Sequence, residues 1–92
     1  MGLFSFTQEI AIDLGTANTI IMCDDKVVVD EPSVVAISMA DNKMVAVGRK
    51  AQQMIGKGGN MIRTVRPLRD GVIADFYACE MMIRGMIKMI PK

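Results

Sequence analysis

Ile10-Ala-Ile-Asp-Leu-Gly-Thr-Ala-Asn-Thr19 is the stretch that decides how this 92-residue chain is read. From Glu9 to Leu14 it alternates and is rich in isoleucine, the pattern of a strand. The strand closes on an acid, Asp13, and passes into a turn of small residues, Gly15-Thr-Ala-Asn18. A second strand-like run, Thr19-Ile-Ile-Met-Cys23, follows at once, with no helix between. That order excludes a P-loop, which needs a lysine after its glycine-rich loop, and a dinucleotide fingerprint, which opens a helix. With no bulky side chain in the way, a hairpin turn of Gly, Thr and Ala lets successive backbone N–H groups approach an anion. A carboxylate at the strand end suits Mg²⁺ held through water, because that ion keeps part of its hydration shell. Taken alone, Asp-Leu-Gly-Thr fits an ordinary type I turn equally well.

Outward from this stretch, Asp24-Asp25-Lys26 reads as a tight turn and Lys26 to Val29 as a third strand, which together predict an antiparallel meander. Pro32 is expected to end the pattern and hold Glu31 extended. Ser33–Ser38 and Met44–Gly48 flank the polar Ala40-Asp-Asn-Lys43 and predict a hairpin. Arg49 to Gly56 predicts a short helix, stopped by Gly56 and Gly58-Gly59. Ile62 to Arg66 alternates as a strand, separated by Pro67 and the Asp70-Gly71 turn from Val72-Ile73-Ala74. Asp75 is a good N-cap for a helix from Phe76 to Ile90, whose apolar residues fall at 76, 79, 83, 86, 87 and 90. Glu80, Arg84 and Lys88 repeat along one stripe at a spacing that supports a helix. Gly85 costs up to about 1 kcal/mol relative to alanine, so close packing is expected there, and Pro91 ends the helix. Tyr77, Met81, Met82 and Met89 widen the apolar surface, so the helix calls for cover on more than one side.

Composition sets the outer bounds. Hydrophobic residues are 51% and charged residues 23% of the chain, which excludes a disordered tail. No run of 18 uncharged apolar residues exists to span a bilayer. Histidine is absent, and the two cysteines, Cys23 and Cys79, form no CxxC, so a zinc ribbon or dithiol redox site is excluded. They read as buried thiols in a reducing compartment. Met1 to Phe6 lacks the basic region and long apolar core of a secretory leader. The net charge of +1 hides a split of −5 over residues 1–46 and +6 over residues 47–92. The basic residues are scattered and almost without aromatic neighbours, so no nucleic-acid partner is expected and the halves are expected to neutralise each other. The ten methionines read as core fillers.

With its flanks, Ile10–Thr19 resembles the first phosphate loop of the actin, Hsp70 and sugar-kinase superfamily, and most closely that of the bacterial actin homologues of the MreB type. Glu31-Pro-Ser-Val-Val-Ala36 and Arg66-Pro-Leu-Arg-Asp-Gly-Val-Ile-Ala-Asp75 agree with it in order and approximate spacing. The resemblance implies an α/β chain with part of the actin-like ATPase (ribonuclease H-like) fold: a mixed sheet of subdomain IA with the small IB insert. Residues 1–32 would begin IA, residues 33–65 would form the IB insert, and residues 66–92 would return to IA with the long helix. Asp13 would face the Mg²⁺ of bound ATP through water, and Gly15, Thr16, Ala17 and Asn18 would wrap the β- and γ-phosphates. The implied parent is an ATP-dependent filament protein at the inner, cytoplasmic face of the membrane. It would associate with itself and with cell-wall synthesis proteins, and so set rod shape.

Members of that family are several times longer, and the resemblance covers a first part only. The acid that positions the attacking water, the second phosphate loop and the adenosine pocket have no counterpart here. No catalytic residue is therefore assigned, and the 92 residues alone are not expected to be active even where the parent is a slow ATPase. Leu3, Phe4 and Phe6 offer an apolar terminus for the membrane surface, against simple packing. Two other functions stay open: a small-molecule kinase of the same superfamily, and a free-standing interaction module. The Glu31-Pro-Ser and Arg66-Pro-Leu-Arg-Asp-Gly runs favour the cytoskeletal branch.

Overall fold

A computed structural model describes residues 9–57 and 59–91; Leu3, Phe4 and Phe6, and with them the expectation of a lipid contact, lie outside the described residues. The meander predicted from Glu9 onward is present as β1 (Ile10–Leu14), β2 (Asn18–Cys23) and β3 (Lys26–Pro32), antiparallel in that order. The β2–β3 connection is a two-residue turn with Asp24 at φ 50° and Asp25 at φ 66°. Two positive φ values match the right-handed twist of the flanking strands, and aspartate tolerates them better than most residues. Contrary to expectation, the third strand does not stop short of Pro32. Proline sits at its last position, where no further ladder N–H is required of it.

A second sheet, ordered β5-β4-β6, comprises β4 (Val35–Ser38), β5 (Met44–Val47) and β6 (Ile62–Val65). Its central strand β4 is covered on both faces. Val34 and Ala36 pack with Ala51 of helix α1 (Arg49–Gln53), while Val35 and Ile37 join the larger core. Helix α1 ends before the predicted Gly56. Beyond Gln53 the N–H groups of Met54, Ile55 and Lys57 reach back only three residues, and Gly56 takes φ 75°. A small hairpin follows, β7 (Leu68–Arg69) and β8 (Val72–Ile73), closed by Asp70-Gly71 with φ of 53° and 77°. The buried Pro67 carbonyl accepts the N–H groups of Ala74 and Asp75, which aims the chain into the long helix.

Helix α2 (Phe76–Ile87) starts at Asp75, whose Oδ1 accepts the Ala78 N–H at 2.9 Å, as expected of an N-cap. It stops three residues short of the predicted Ile90. The Met89 and Ile90 N–H groups bond three residues back, and Pro91 has no N–H to continue. The buried face also differs from the predicted stripe. Ala78, Cys79, Met82 and Met86 pack against Ile21, Val29, Val35, Ile37, Val47 and Leu68. Phe76 remains 77% exposed and Ile87 44% exposed. The predicted list mixed two faces, because counting apolar types gives no weight to which sheet lies beneath. Met82, left outside that list, is fully buried. Gly85 does pack closely, since a Cβ there would lie 2.8 Å from Met44 Cε and 2.9 Å from Val47 Cγ1.

All strand pairs among the described residues are antiparallel. Strand β1 is an open edge, with Ile10 and Ile12 both exposed. The expected neutralisation between the two halves of the chain takes no form of ion pairing among the described residues. Glu80–Arg84, at 2.9 Å within α2, is the one salt bridge there. No helix among the described residues is long and apolar enough to cross a membrane.

Candidate functional site

The turn Gly15–Asn18 is fixed from three directions. Ser33, fully buried, reaches it twice: its hydroxyl donates to the Gly15 carbonyl at 2.7 Å and its N–H donates to the Ala17 carbonyl at 2.9 Å. The Ser33 oxygen also lies 2.8 Å from the buried Thr19 hydroxyl. Serine has one hydroxyl proton, already given to Gly15, so Thr19 is the donor of that bond. From another side the Gly71 N–H donates to Thr16 Oγ1 at 2.7 Å. On the outer face of the sheet Asn18 Nδ2 donates to Asp30 Oδ1 at 3.2 Å. Gly15 itself is required by the tightness of the turn, since a Cβ there would meet the Asn18 carbonyl oxygen at 2.5 Å.

With the carbonyls of residues 15 and 17 engaged by Ser33, the N–H groups of Thr16 and Ala17 donate to no protein group among the described residues. Thr16, Ala17 and Asn18 are exposed. With two of its carbonyls engaged and two N–H groups free, the turn presents donors to solvent, which suits an anion. Beside it an open groove of about 690 Å³ is lined by Thr16, Arg66, Arg69 and Asp70, with Val34 and Thr64. The two arginines place positive charge next to the turn.

Asp13 sits on β1 opposite Ile20 of β2, which in turn pairs with Asp30 of β3. Paired residues share a face, so Asp13 and Asp30 flank Ile20 on the outer face, two strand spacings or roughly 10 Å apart. Asp13 is exposed. No group of three or more potential metal ligands exists among the described residues, so Asp13 offers one carboxylate and not a complete site. The residues singled out in the turn are thus contiguous, with Gly15 half-buried and Thr16, Ala17 and Asn18 exposed, and Asp13 lies next to the turn on its own strand. Asp75 caps α2.

Composition had not marked Ser33, Thr19 or Glu31 for any role, yet Ser33 holds more of the turn than any other residue. The three sequence runs meet at this point: Gly15–Asn18 from the first, Ser33 from the second, Gly71 from the third. A family profile described as MreB/Mbl protein matches residues 7–92. The chain belongs to the MreB/Mbl family. Among curated relatives, the cell shape-determining protein MreB of Pasteurella multocida is 48% identical over 94 residues, covering 97% of this chain and 26% of that protein. The cell shape-determining protein Mbl of Bacillus subtilis is 45% identical over 86 residues, covering 92% and 26%. Among solved structures, MreB 5 of Spiroplasma citri bound to AMPPNP superposes with a TM-score of 0.79 at 38% identity, over 89% of this chain and 25% of that one. The ADP-bound form of the same protein gives 0.80 at 38% identity, over 90% and 26%. The fold is therefore part of the actin-like fold of the MreB structures, and the chain spans about a quarter of the length of the relatives it matches.

Proposed function

We propose that this MreB/Mbl chain supplies one wall of a nucleotide cleft in an ATP-dependent, actin-like filament protein. That protein would act at the inner face of the cytoplasmic membrane and set rod shape by guiding cell-wall synthesis. The reading is carried by the turn Gly15–Asn18, whose carbonyls are drawn inward by Ser33 while the Thr16 and Ala17 N–H groups are left to solvent. A preorganised row of donors costs little reorganisation when a phosphate arrives. Gly15, Thr16, Ala17 and Asn18 bind the β- and γ-phosphates in this reading, and Asp13 holds Mg²⁺ through water. One exposed carboxylate would suit an ion that keeps part of its hydration shell and is held through water. The ion, when bound, neutralises phosphate charge.

Support comes from relatives named cell shape-determining proteins and from the Spiroplasma citri structures bound to AMPPNP and ADP. Those names favour the filament branch over a small-molecule kinase. Residues 1–32 and 66–92 form the IA part and residues 33–65 the IB insert in this reading. Leu3, Phe4 and Phe6 contribute a membrane contact, each side chain contributing at most about 1.5–3 kcal/mol.

A chimera in which residues 1–92 replace the matching segment of the Pasteurella multocida relative tests the nucleotide reading. Asp13→Ala and Gly15→Ala should each weaken binding of a fluorescent ATP analogue, while the isolated 92-residue chain should release no phosphate. Unchanged affinity in both variants would overturn the reading. So would phosphate release from the isolated chain that Asp13→Ala abolishes. For the terminus, vesicle co-sedimentation of the chimera should fall when residues 3, 4 and 6 are all serine.

A further inference from the structure

We infer that Glu31-Pro32-Ser33 is a strut joining the turn Gly15–Asn18 to helix α1, with Ser33 positioning the turn and Glu31 anchoring the helix. Its meaning for function, a link between bound phosphate and the residues 33–65 insert, rests on the nucleotide reading. The link itself can be measured without nucleotide.

Helix α1 begins after Gly48, which has no side chain to cap the helix, and no capping side chain comes from its own sequence. The acceptor comes instead from the other sheet: Glu31 Oε1 accepts the Arg49 N–H at 2.7 Å. The fit is tight enough that a Cβ on Gly48 would collide with the Glu31 carboxylate. Gly48 is also tied back through its own N–H, which donates to the Val34 carbonyl at 2.9 Å. Two residues after Glu31, Ser33 makes its two bonds to the turn and accepts a third from Thr19.

Little play separates these two sets of bonds. Glu31 is paired with Thr19 and Pro32 with Asn18 in the β2–β3 ladder. Proline fixes its own φ and restricts the residue before it. A displacement of the helix N-terminus that drags Glu31 therefore moves Ser33, and with it the carbonyls of residues 15 and 17.

Four amides report on the strut: Arg49 and Gly48 at the helix end, Ser33 at the turn, and Gly71 through its bond to Thr16 Oγ1. Hydrogen exchange of the nucleotide-free 92-residue protein, read by NMR, compares wild type with Glu31→Ala and Glu31→Gln. Glu31→Ala should speed exchange at Arg49 roughly fivefold, the size of a lost helix cap. It should also speed Ser33 and Gly71 at least about twofold, as expected for coupled neighbours. Glu31→Gln keeps an oxygen acceptor and should restore all of these rates to within about a factor of two of wild type. Glu31→Asp withdraws the acceptor by one methylene while keeping the charge, and should behave as Glu31→Ala does; it also serves where the alanine variant fails to fold. Acceleration confined to Gly48 and Arg49 would reduce Glu31 to a local cap and overturn the strut. Equal effects of the alanine and glutamine variants would do the same. Neither result bears on ATP binding by the chimera, so the two readings fail separately.

Discussion

Replacing Gly85 by alanine sets two opposed effects of similar size against each other. Glycine within a helix gives up about 1 kcal/mol relative to alanine, so at an exposed site the change would stabilise. At Gly85 the added methyl would stand 2.8 Å from Met44 Cε, 2.9 Å from Val47 Cγ1 and 3.4 Å from Val47 Cβ. Met44 Cε is the end of a flexible chain and can swing away at little cost. Val47 cannot, because it is β-branched, 8% exposed, and part of the main core. Relieving that contact means shifting β5 or the helix, and overpacking of this kind costs typically 1–3 kcal/mol. The net expectation is destabilisation by about 1 kcal/mol. Val47→Ala alone should cost about 2 kcal/mol as a large-to-small core change. In the Val47→Ala background the rigid Cγ1 contact is gone and only the movable Met44 Cε stands close, so Gly85→Ala should become neutral or stabilising, a coupling of about 1–2 kcal/mol. Urea unfolding of the four proteins at equal slope measures the cycle. Stabilisation by Gly85→Ala in the wild-type background, or strict additivity of the two changes, would refute the reasoning.

Asp75→Ala should weaken α2 by about 1 kcal/mol through the lost cap, and should move the alkylation profile of Cys79 to lower pH. Burial first, and the Asp75 charge second, hold that thiol above its ordinary value of 9.0. Because the folded state favours the protonated thiol, the Cys79 contribution to stability is intact below that ordinary value and lost as pH rises through the raised one; denaturation curves across this range should flatten in Cys79→Ala. Self-association through the long helix is expected of the isolated chain, and its test belongs on the outer stripe. Phe76→Lys with Ile87→Lys should keep the fold and shift sedimentation towards monomer, whereas Met82→Lys or Met86→Lys, both at fully buried positions, should unfold the chain. A compact wild-type monomer at high concentration would remove the basis for that expectation.

Local signals carried most of the elements. Alternation marked β1 and β6, apolar runs between turn residues marked the other strands of the first two sheets, the paired aspartates and Asp70-Gly71 found their turns, and Asp75 marked the start of α2. Element ends were harder, because they depend on which N–H groups turn back three residues instead of four, as at Met54, Ile55, Met89 and Ile90. The buried face of α2 was misread for a different reason. Ala78 and Met82 are buried by where the two sheets lie, and the more hydrophobic Phe76 and Ile87 face away. A helix with apolar residues most of the way round does not declare its inner side.

The geometry holding the turn was hidden for a related reason, since its partners lie far apart in sequence: Thr19 and Ser33 are 14 positions apart, and Thr16 and Gly71 are 55 apart. What brings Ser33 to the turn is a detail of register. Near the Asp24-Asp25 turn the ladder pairs Cys23 with Lys26 and Met22 with Val27, but beyond an irregularity it pairs Ile21 with Val29 and Asn18 with Pro32. Val28 is the extra residue, a β-bulge. Carried one step further, the shifted ladder sets Ser33 opposite Ala17, where its N–H donates to the Ala17 carbonyl. Without the bulge, the same step would set Pro32 there. Proline has no N–H to give, and the serine hydroxyl would fall on the other face of the strand, away from Gly15. The donors presented at Thr16 and Ala17 therefore depend on one inserted residue, Val28, ten positions along the chain from Asn18. Its deletion should release the turn while leaving the hairpin at Asp24-Asp25 intact.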